Sequence, residues 1–461
     1  MAKGFHQQYG VDFEETFSLV IKPPTIKIIL SLAIQFNWPL RQLDVRNAFL
    51  HSFLKEEVYM VQPSGYVDPI FPNHVCHLRK SLYGLKQVSK AWIEGFSTHL
   101  LHLGFQASLA NSSLFILRYG KFLVFLLVYV DDIVLIGNSP SFLQSLIHQL
   151  SLEFKLKYLG NLHYFLGLHI TRTSTGLFLN QSKYAYDLLQ KHNMLSAKPA
   201  KIPCAPNLRL VLATNPLLAN PHEYCSMVGS LYYLTFTRPD LSFAVHQVYQ
   251  FTSAPSEAHL IAAKHNLRYV NGTPNLGIIF QHGPLSLSSF LDSDWAGDPF
   301  DRRSTTGYLI YLGYNPITWI AKKQEIMSKY STKSEYRALA TTVAELCWIR
   351  QVLKDFVIFL SFMPKLWCDN VSALAIASNP VFHAKTKHVE VDYHFVRERV
   401  LRRDLQIRYI ATSDQLADIF TKSLSSSHFQ FLRSKTMVSN DPLVLRGDES
   451  GTIDYNSKKK K

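Results

Sequence analysis

The chain has 461 residues, enough for two to four domains with cores of their own, and an apolar share of 47% excludes wholesale disorder. Its 48 Lys and Arg outnumber 34 Asp and Glu; the net charge of +14 stays at +10 without Lys458 to Lys461, which favours a polyanionic partner. Five scattered cysteines, Cys76, Cys204, Cys225, Cys347 and Cys368, never form CxxC and argue against a disulfide framework or zinc finger, hence for a reducing compartment. No signal peptide opens the chain, and no apolar run is long enough to span a bilayer.

Met1 to Glu15 is polar and lacks a period, after which Pro24 opens a helix-length apolar stretch from Thr25 to Ala33. A short strand beginning at Leu40 delivers Asp44 at its end, where an aspartate otherwise serves as a helix N-cap. Ser81 to Gln87 is a glycine-containing turn, and Trp92, Phe96, Leu100 and Leu103 follow at helical spacing up to Gly104, a core stripe.

Phe122 to Gly137 reads as two buried strands joined by a tight turn that holds Asp131 and Asp132. Adjacent carboxylates in an apolar hairpin raise one another's pKa and stay ionised most easily around a cation; a plain polar turn uses the same residues. Mg²⁺ suits oxygen ligands and keeps positions open for substrate phosphates, with Mn²⁺ as the alternative ion. Phe142, Leu143, Leu146, Ile147 and Leu150 mark a helix, and Tyr164 to Ile170 reads as one strand. The order suggests an open sheet with helices on one face.

From Ser196 to Pro221 prolines at 199, 203, 206, 216 and 221 mark a linker. Helices follow at about Tyr224 to Phe236, Pro239 to Phe251 and Ser256 to Val270; Tyr232, Tyr233, Phe243 and Tyr249 read as core packing rather than a nucleic-acid stacking platform. Three strands, near Ser288 to Asp292, Gly307 to Leu312 and Pro316 to Ala321, predict an antiparallel meander. A helix from Lys333 to Phe356, a strand Leu366 to Asp369, a strand Gln406 to Ile410 and a helix carrying Asp418 complete a second α/β unit.

Asp292, Glu335, Asp369 and Asp418 stand at strand ends or on helices that can converge. Each has another reading: Glu335 forms a capping box with Thr332, Asp418 favours a helix N-terminus, and Asp294 shares a strand face with Asp292. His383 and His388, without paired cysteines, read as loop histidines.

LDVRNAFL, SLYGLKQ, LLVYVDDIVL and LHYFLGLHI, in this order, resemble the reverse transcriptase of a copia-type LTR retrotransposon Pol polyprotein. DSDWAGD, DRRSTTGY, KSEYRAL, CDN, TKHVEVDYHFVRE and DQLADIFTK resemble its RNase H. The resemblance implies an α/β (α+β) protein in three parts: fingers and palm over 1–195, linker and helical thumb or connection over 196–284, and an RNase H-like domain over 285–434. A basic, disordered tail over 435–461 is expected to follow. It implies that Asp44, Asp131 and Asp132 bind the palm metals, and that Phe49, Gln87 and Tyr129 contact substrate, Phe49 against the sugar and Gln87 against the incoming nucleotide. It puts Phe165, Leu166 and Gly167 near the primer grip and makes Asp292, rather than Asp294, the partner of Glu335, Asp369 and Asp418 in a second metal site. The expected partners are an RNA template, a DNA primer, the RNA–DNA hybrid and dNTPs, with no membrane; the expected location is a cytoplasmic retroelement particle or the nucleus.

The chain departs from the family pattern at Val88-Ser89-Lys90, where small-Pro-Arg is usual, and at Lys333-Ser334, where Glu-Ala is usual. The likeness begins after the family's basic fingers segment, so a truncated enzyme is expected. Two other readings stand beside it: a catalytically inactive remnant that binds nucleic acid, and a chain with RNase H activity alone.

Overall fold

A computed structural model of the chain describes residues 4–16, 21–206, 210–211, 217–378 and 390–440. The chain divides into two compact units, Met1–His163 with Trp348–Phe359, and Tyr164–Cys347 with Leu360–Lys461. The segments expected at 1–195, 196–284 and 285–434 do not coincide with these units: residues 164–195 fall in the second unit, and Trp348–Phe359 in the first. Among the described residues no helix is long and apolar enough to cross a membrane.

In the first unit, α1 (Pro23–Gln35) starts on two prolines, whose missing N–H groups cost nothing in a first turn. Then come β1 (Leu40–Val45), a two-stranded ribbon of β2 (Phe53–Val61) and β3 (Val75–Lys80), and α2 (Val88–His102). They are followed by β4 (Gln106–Ala107), β5 (Leu114–Tyr119), β6 (Phe122–Tyr129), β7 (Asp132–Gly137), α3 (Pro140–Glu153) and β8 (Leu156–Asn161). Among the described residues the centre is a six-stranded antiparallel sheet in the order β4-β5-β6-β7-β1-β8.

The uninterrupted apolar runs of β6 and β7 follow from burial on both faces. Val124, Leu126 and Val128 share a cluster with Trp92, Phe96, Leu143 and Leu150 from α2 and α3. On the opposite face Phe125 meets Phe356 edge-on at 4.4 Å and Trp38 at 5.7 Å, and Leu127 and Val134 are buried. Helices on one face, as expected, are therefore half of the arrangement. Each buried Val, Leu or Phe contributes about 1.5–3 kcal/mol, so charged residues are confined to the hairpin end of these strands.

The second unit opens with β9 (Tyr164–Phe165) and β10 (Leu168–Arg172), which corrects the expectation of a single strand over Tyr164 to Ile170. Phe165 pairs with Leu168 and Tyr164 with His169 around a two-residue turn. Leu166 and Gly167 have φ of 49° and 69°, the sign a type I′ hairpin turn needs at both positions. Leucine in place of the usual Asn or Asp hid the turn. Its conformation is held from outside: Tyr233 Oη donates to the Leu166 carbonyl at 2.6 Å, and a Cβ on Gly167 would run into that same hydroxyl.

β11 (Gly176–Asn180), α4 (Ser182–Lys191), α5 (Pro221–Leu234), α6 (Ser242–Tyr249), α7 (Glu257–Gly272) and β12 (Gly277–Gln281) follow. The linker is tied down where it is described, Arg268 and Asn271 of α7 donating to the carbonyls of Lys198, Ala197 and Leu195. A buried Arg238–Asp240 pair, 2.8 Å apart, also takes the Tyr269 hydroxyl and the Thr273 carbonyl, so neither charge is left unsatisfied. Three of the four aromatic residues expected in the core are exposed. Tyr224, Val228 and Leu231 lie on the buried face of α5, which puts Tyr232 and Tyr233 off that face and exposed; Tyr249 is exposed too, its ring 5.4 Å from that of Tyr232.

β13 (Leu287–Asp294), β14 (Thr305–Leu312) and β15 (Asn315–Lys323) form the predicted antiparallel meander. α8 (Ser331–Asp355) buries Tyr336, Leu339, Val343, Leu346 and Leu353, and contributes residues to both compact units. β16 (Lys365–Cys368), α9 (Val371–Ser378), α10 (Glu390–Leu401) and β17 (Gln406–Tyr409) come next, β16 and β17 joining β13 in parallel to give the order β15-β14-β13-β16-β17. Asp418 sits not on a regular helix but in a short 3₁₀ turn, Leu416–Phe420. After α11 (Ser426–Lys435), β18 (Val438–Ser439) pairs with β12, so ordered chain continues past 435, where a tail was expected. His383, His388 and the residues after 440 lie outside the described residues.

The hairpin turn gives a test of coupling. Gly167→Ala should cost about 1–3 kcal/mol in urea unfolding, from the left-handed backbone and the lost space together. Tyr233→Phe alone should cost about 1 kcal/mol, and the double variant less than the sum, because the hydroxyl is the clashing atom. Additive losses would refute the contact.

Candidate active sites

The first site is built by strand register. β7 lies between β6 and β1, with Asp132 opposite both Tyr129 and Asp44. Directly opposed residues of an antiparallel pair project to one face with Cβ atoms about 4.5–5.5 Å apart, so Asp44 and Asp132 are neighbours. Asp131 occupies the turn between β6 and β7, its carbonyl accepting the Val45 N–H at 2.9 Å. Val130, beside it, has φ of 55°, a conformation that costs a β-branched residue on the order of 1–3 kcal/mol. The indole N–H of Trp92 donates to the Val130 carbonyl at 2.5 Å and secures the turn. The core stripe of α2 thus reaches the site through one polar atom.

Burial, then the Asp131 and Asp44 carboxylates, raise the pKa of Asp132 to about 6, against a hydrogen bond from the Gln42 side chain. Tyr83 is raised by burial and then by Asp131 and Asp44, which puts its phenol in the field of the same acids. The Tyr83 ring stands 4.4 Å from that of Phe49, itself 7% exposed and part of the core cluster. Tyr129 is more than a third exposed. Gln87 is 1% exposed: its amide accepts from Gln7 Nε2 and donates to the Asp12 carbonyl, both at 3.1 Å. Phe165, Leu166 and Gly167 belong to the other compact unit, with Phe165 in its core.

The second site gathers four acids from distant points in the chain. Asp292 lies on β13, Asp369 just past β16, Glu335 at the fifth position of α8 and Asp418 in the 3₁₀ turn. Asp292, Glu335 and Asp418 are 2%, 6% and 4% exposed. Burial raises Asp292; burial followed by Asp292 and Asp369 holds Glu335 well above the usual carboxylate range, and burial followed by Asp292 lifts Asp418 to about 6. Glu335 accepts the Ser293 N–H rather than closing a capping box, and its Oε2 is buried without a partner among the described residues. Asp294, the alternative to Asp292, is held by the Thr305 N–H, and burial pushes it to about 7.

Sequence reasoning passed over the groups that steady these acids. Lys422 Nζ lies 2.7 Å from Asp418 and 3.3 Å from Asp292, Thr421 Oγ1 donates to Asp292, and Thr412 Oγ1 donates to Asp369 at 3.0 Å. Only the four-residue spacing from Asp418 to Lys422 was visible as a signal. Gln42 and Tyr83 offered none, since their roles depend on the register of β1 and on the 81–87 turn. Both clusters suit a divalent cation: oxygen donors crowded enough to raise one another's pKa, and at the second a buried carboxylate oxygen with no partner among the described residues.

A family model described as reverse transcriptase (RNA-dependent DNA polymerase) matches residues 1–206. The chain is 48% identical over 443 residues to the retrovirus-related Pol polyprotein from transposon RE1 of Arabidopsis thaliana, covering 96% of this chain and 30% of that one. It is 30% identical over 308 residues to a putative Ty5-1 transposon protein of Saccharomyces cerevisiae, covering 66% of this chain and 100% of that one. Among solved structures, the foamy viral protease-reverse transcriptase in complex with RNA/DNA hybrid aligns with 89% of this chain and 48% of its own, at 13% identity and a TM-score of 0.47. The chain therefore spans under a third of the length of the RE1 polyprotein.

Raised carboxyl pKa values fix a sign for pH dependence. Asp132 and Asp418 at about 6 and Asp294 at about 7, against 3.8 for an ordinary aspartate, bind protons more tightly folded than unfolded. Their contribution to stability is complete below the ordinary value and is lost as pH rises through 6 to 7. In EDTA, Tm should therefore carry a downward component between about pH 4 and 7.5 that Asp294→Asn reduces. An identical slope in wild type and variant, by thermal melts across that range, would contradict the assignment.

Proposed function

The chain belongs to the copia-type retrotransposon Pol polyprotein family, and from that premise we propose that it is an RNA-directed DNA polymerase with ribonuclease H activity. In this reading residues 1–195 are fingers and palm, 196–284 linker and helical thumb or connection, and 285–434 the RNase H-like domain. The observation that carries it is the presence of two separate acid clusters, each assembled from sequence-distant elements and each crowded enough to raise carboxyl pKa values. Mg²⁺ or Mn²⁺ bound at the clusters would supply Lewis-acid activation of a primer 3′-hydroxyl at one and of water at the other.

Asp44, Asp131 and Asp132 are the proposed ligands in the palm, and Asp292, Glu335, Asp369 and Asp418 those in the RNase H-like domain. Gln42 and the strained Val130 turn orient the palm acids. Lys422 and Thr421 orient Asp292 and Asp418 and offset their charge. Tyr129, Phe49 and Gln87 are the proposed substrate contacts, and Phe165, Leu166 and Gly167 the proposed primer grip. Phe49 packs on Tyr83, and Gln87 lies between Gln7 and Asp12, so a nucleotide reaching either must displace those neighbours. A net charge of +14 suits an RNA template, DNA primer, their hybrid and dNTPs, through contacts that weaken as salt rises.

One labelled RNA–DNA primer-template with Mg²⁺ and dNTPs tests both halves, scoring extension and RNA cleavage together. Asp132→Asn should abolish extension and leave cleavage within about twofold, and Glu335→Gln should do the reverse, each lost activity falling at least about a hundredfold. Cleavage without extension in wild type would limit the reading to RNase H. A folded, hybrid-binding chain that does neither would overturn it.

A further inference from the structure

The second cluster contains a donor that an all-oxygen magnesium site does not need. Cys368, the last residue of β16, is fully buried, and its Sγ, an oxygen of Glu335 and an oxygen of Asp369 all lie within 4.8 Å of one another. Glu335 is more than nine-tenths buried, and its Oε2 has no hydrogen-bond partner among the described residues. The thiol itself is weakly engaged, accepting the Asn370 N–H at 3.4 Å and facing the Asn370 carbonyl at 3.9 Å. Among the described ion pairs Lys422 engages Asp292 and Asp418 and none involves Glu335 or Asp369, although the Lys422 charge still acts on Glu335.

Two carboxylates and a thiolate make a different donor set from carboxylates alone. Sulfur is a poor ligand for Mg²⁺ and a good one for Zn²⁺ or Cd²⁺, which accept mixed sulfur and oxygen ligands in tetrahedral sites. Zinc bonds of about 2.3 Å to sulfur and about 2.0–2.2 Å to oxygen space tetrahedral ligand atoms about 3.5 Å apart. The three donors, within 4.8 Å of one another, would close by up to about 1.3 Å to reach that spacing.

We propose that Glu335, Cys368 and Asp369 form a binding site for a thiophilic divalent cation, Zn²⁺ or Cd²⁺, that overlaps the RNase H-like metal site and excludes Mg²⁺ from it. Binding exchanges the thiol proton, released to solvent, for a metal–sulfur bond; water fills the fourth position, and no electron is transferred. The inhibitory consequence rests on the RNase H reading of Glu335 and Asp369; the binding site itself does not. In this arrangement the cysteine makes the site a sensor of thiophilic metal.

Cd²⁺ titrated into the 461-residue chain after EDTA treatment tests the site through the ultraviolet sulfur-to-cadmium charge-transfer band. One equivalent should saturate the band; Cys368→Ala should remove it, Cys204→Ser should keep it, and Glu335→Gln should weaken Cd²⁺ binding at least tenfold. Circular dichroism checks that each variant is folded, and Cys368→Ser serves if alanine is not tolerated. A band that survives loss of the Cys368 thiol, or no band at all, overturns the site. Hybrid cleavage is run in parallel, where Zn²⁺ should inhibit the Mg²⁺-supported reaction at least tenfold more strongly in wild type than in the Cys368 variant. A Cys368-dependent band without cleavage upholds the site and removes the RNase H reading; cleavage without such a band overturns the site alone.

Discussion

Mutual repulsion between carboxylates in a poorly hydrated setting is the constraint on which the rest of this structure depends. An isolated ionised carboxylate moved into a protein interior loses hydration worth several kcal/mol, and a second one nearby adds Coulombic repulsion that water no longer screens. The chain gathers acids in this way at two places and surrounds each with polar groups that tolerate partial protonation. Gln42 serves Asp132, Thr421 and Lys422 serve Asp292, and Lys422 also serves Asp418. Because those partners do not fully neutralise the clusters, the acids keep raised pKa values and an appetite for cations.

Backbone strain is handled in a parallel way. The two hairpin turns that carry proposed functional residues both need left-handed backbone at residues that resist it, Val130 in one and Leu166 in the other. Each is secured by a hydrogen bond from an aromatic side chain elsewhere in its own unit, Trp92 to the Val130 carbonyl and Tyr233 to the Leu166 carbonyl. An aromatic ring suits this work because it anchors a large apolar area while presenting one polar atom at its rim. Trp92, from the core stripe of α2, and Tyr233, from the exposed side of α5, thereby each hold one turn.

Legibility followed the range of the interaction. The β6–β7 hairpin, the α2 stripe, the β13–β15 meander and the long α8 were readable because burial writes a period of 2 or 3.6 into neighbouring residues. The hairpin at Leu166-Gly167 was not, since leucine gives no local hint of a left-handed backbone and the stabilising hydroxyl comes from residue 233. The tyrosines of α5 were assigned to the wrong face because aromatic content says nothing about which side of a helix meets the core; Tyr224, Val228 and Leu231 settle that only once the helix is packed. Thr421, Lys422 and Cys368 escaped notice as partners because their distance from the acids in space has no counterpart in the order of the chain.

By itself, the sequence determined the chemistry available: which acids interrupt apolar runs, the basic surplus that favours polyanions, and the resemblance to copia-type Pol proteins. Only the tertiary structure decided which acids meet, that Asp44 stands opposite Asp132, that Asp292 joins Lys422 while Asp294 is held by Thr305, and that a thiol lies against Glu335 and Asp369. The physical reason is that periodicity and turn chemistry act over a few residues. Electrostatic coupling and metal coordination act over a few ångströms, and only the folded chain turns one distance into the other.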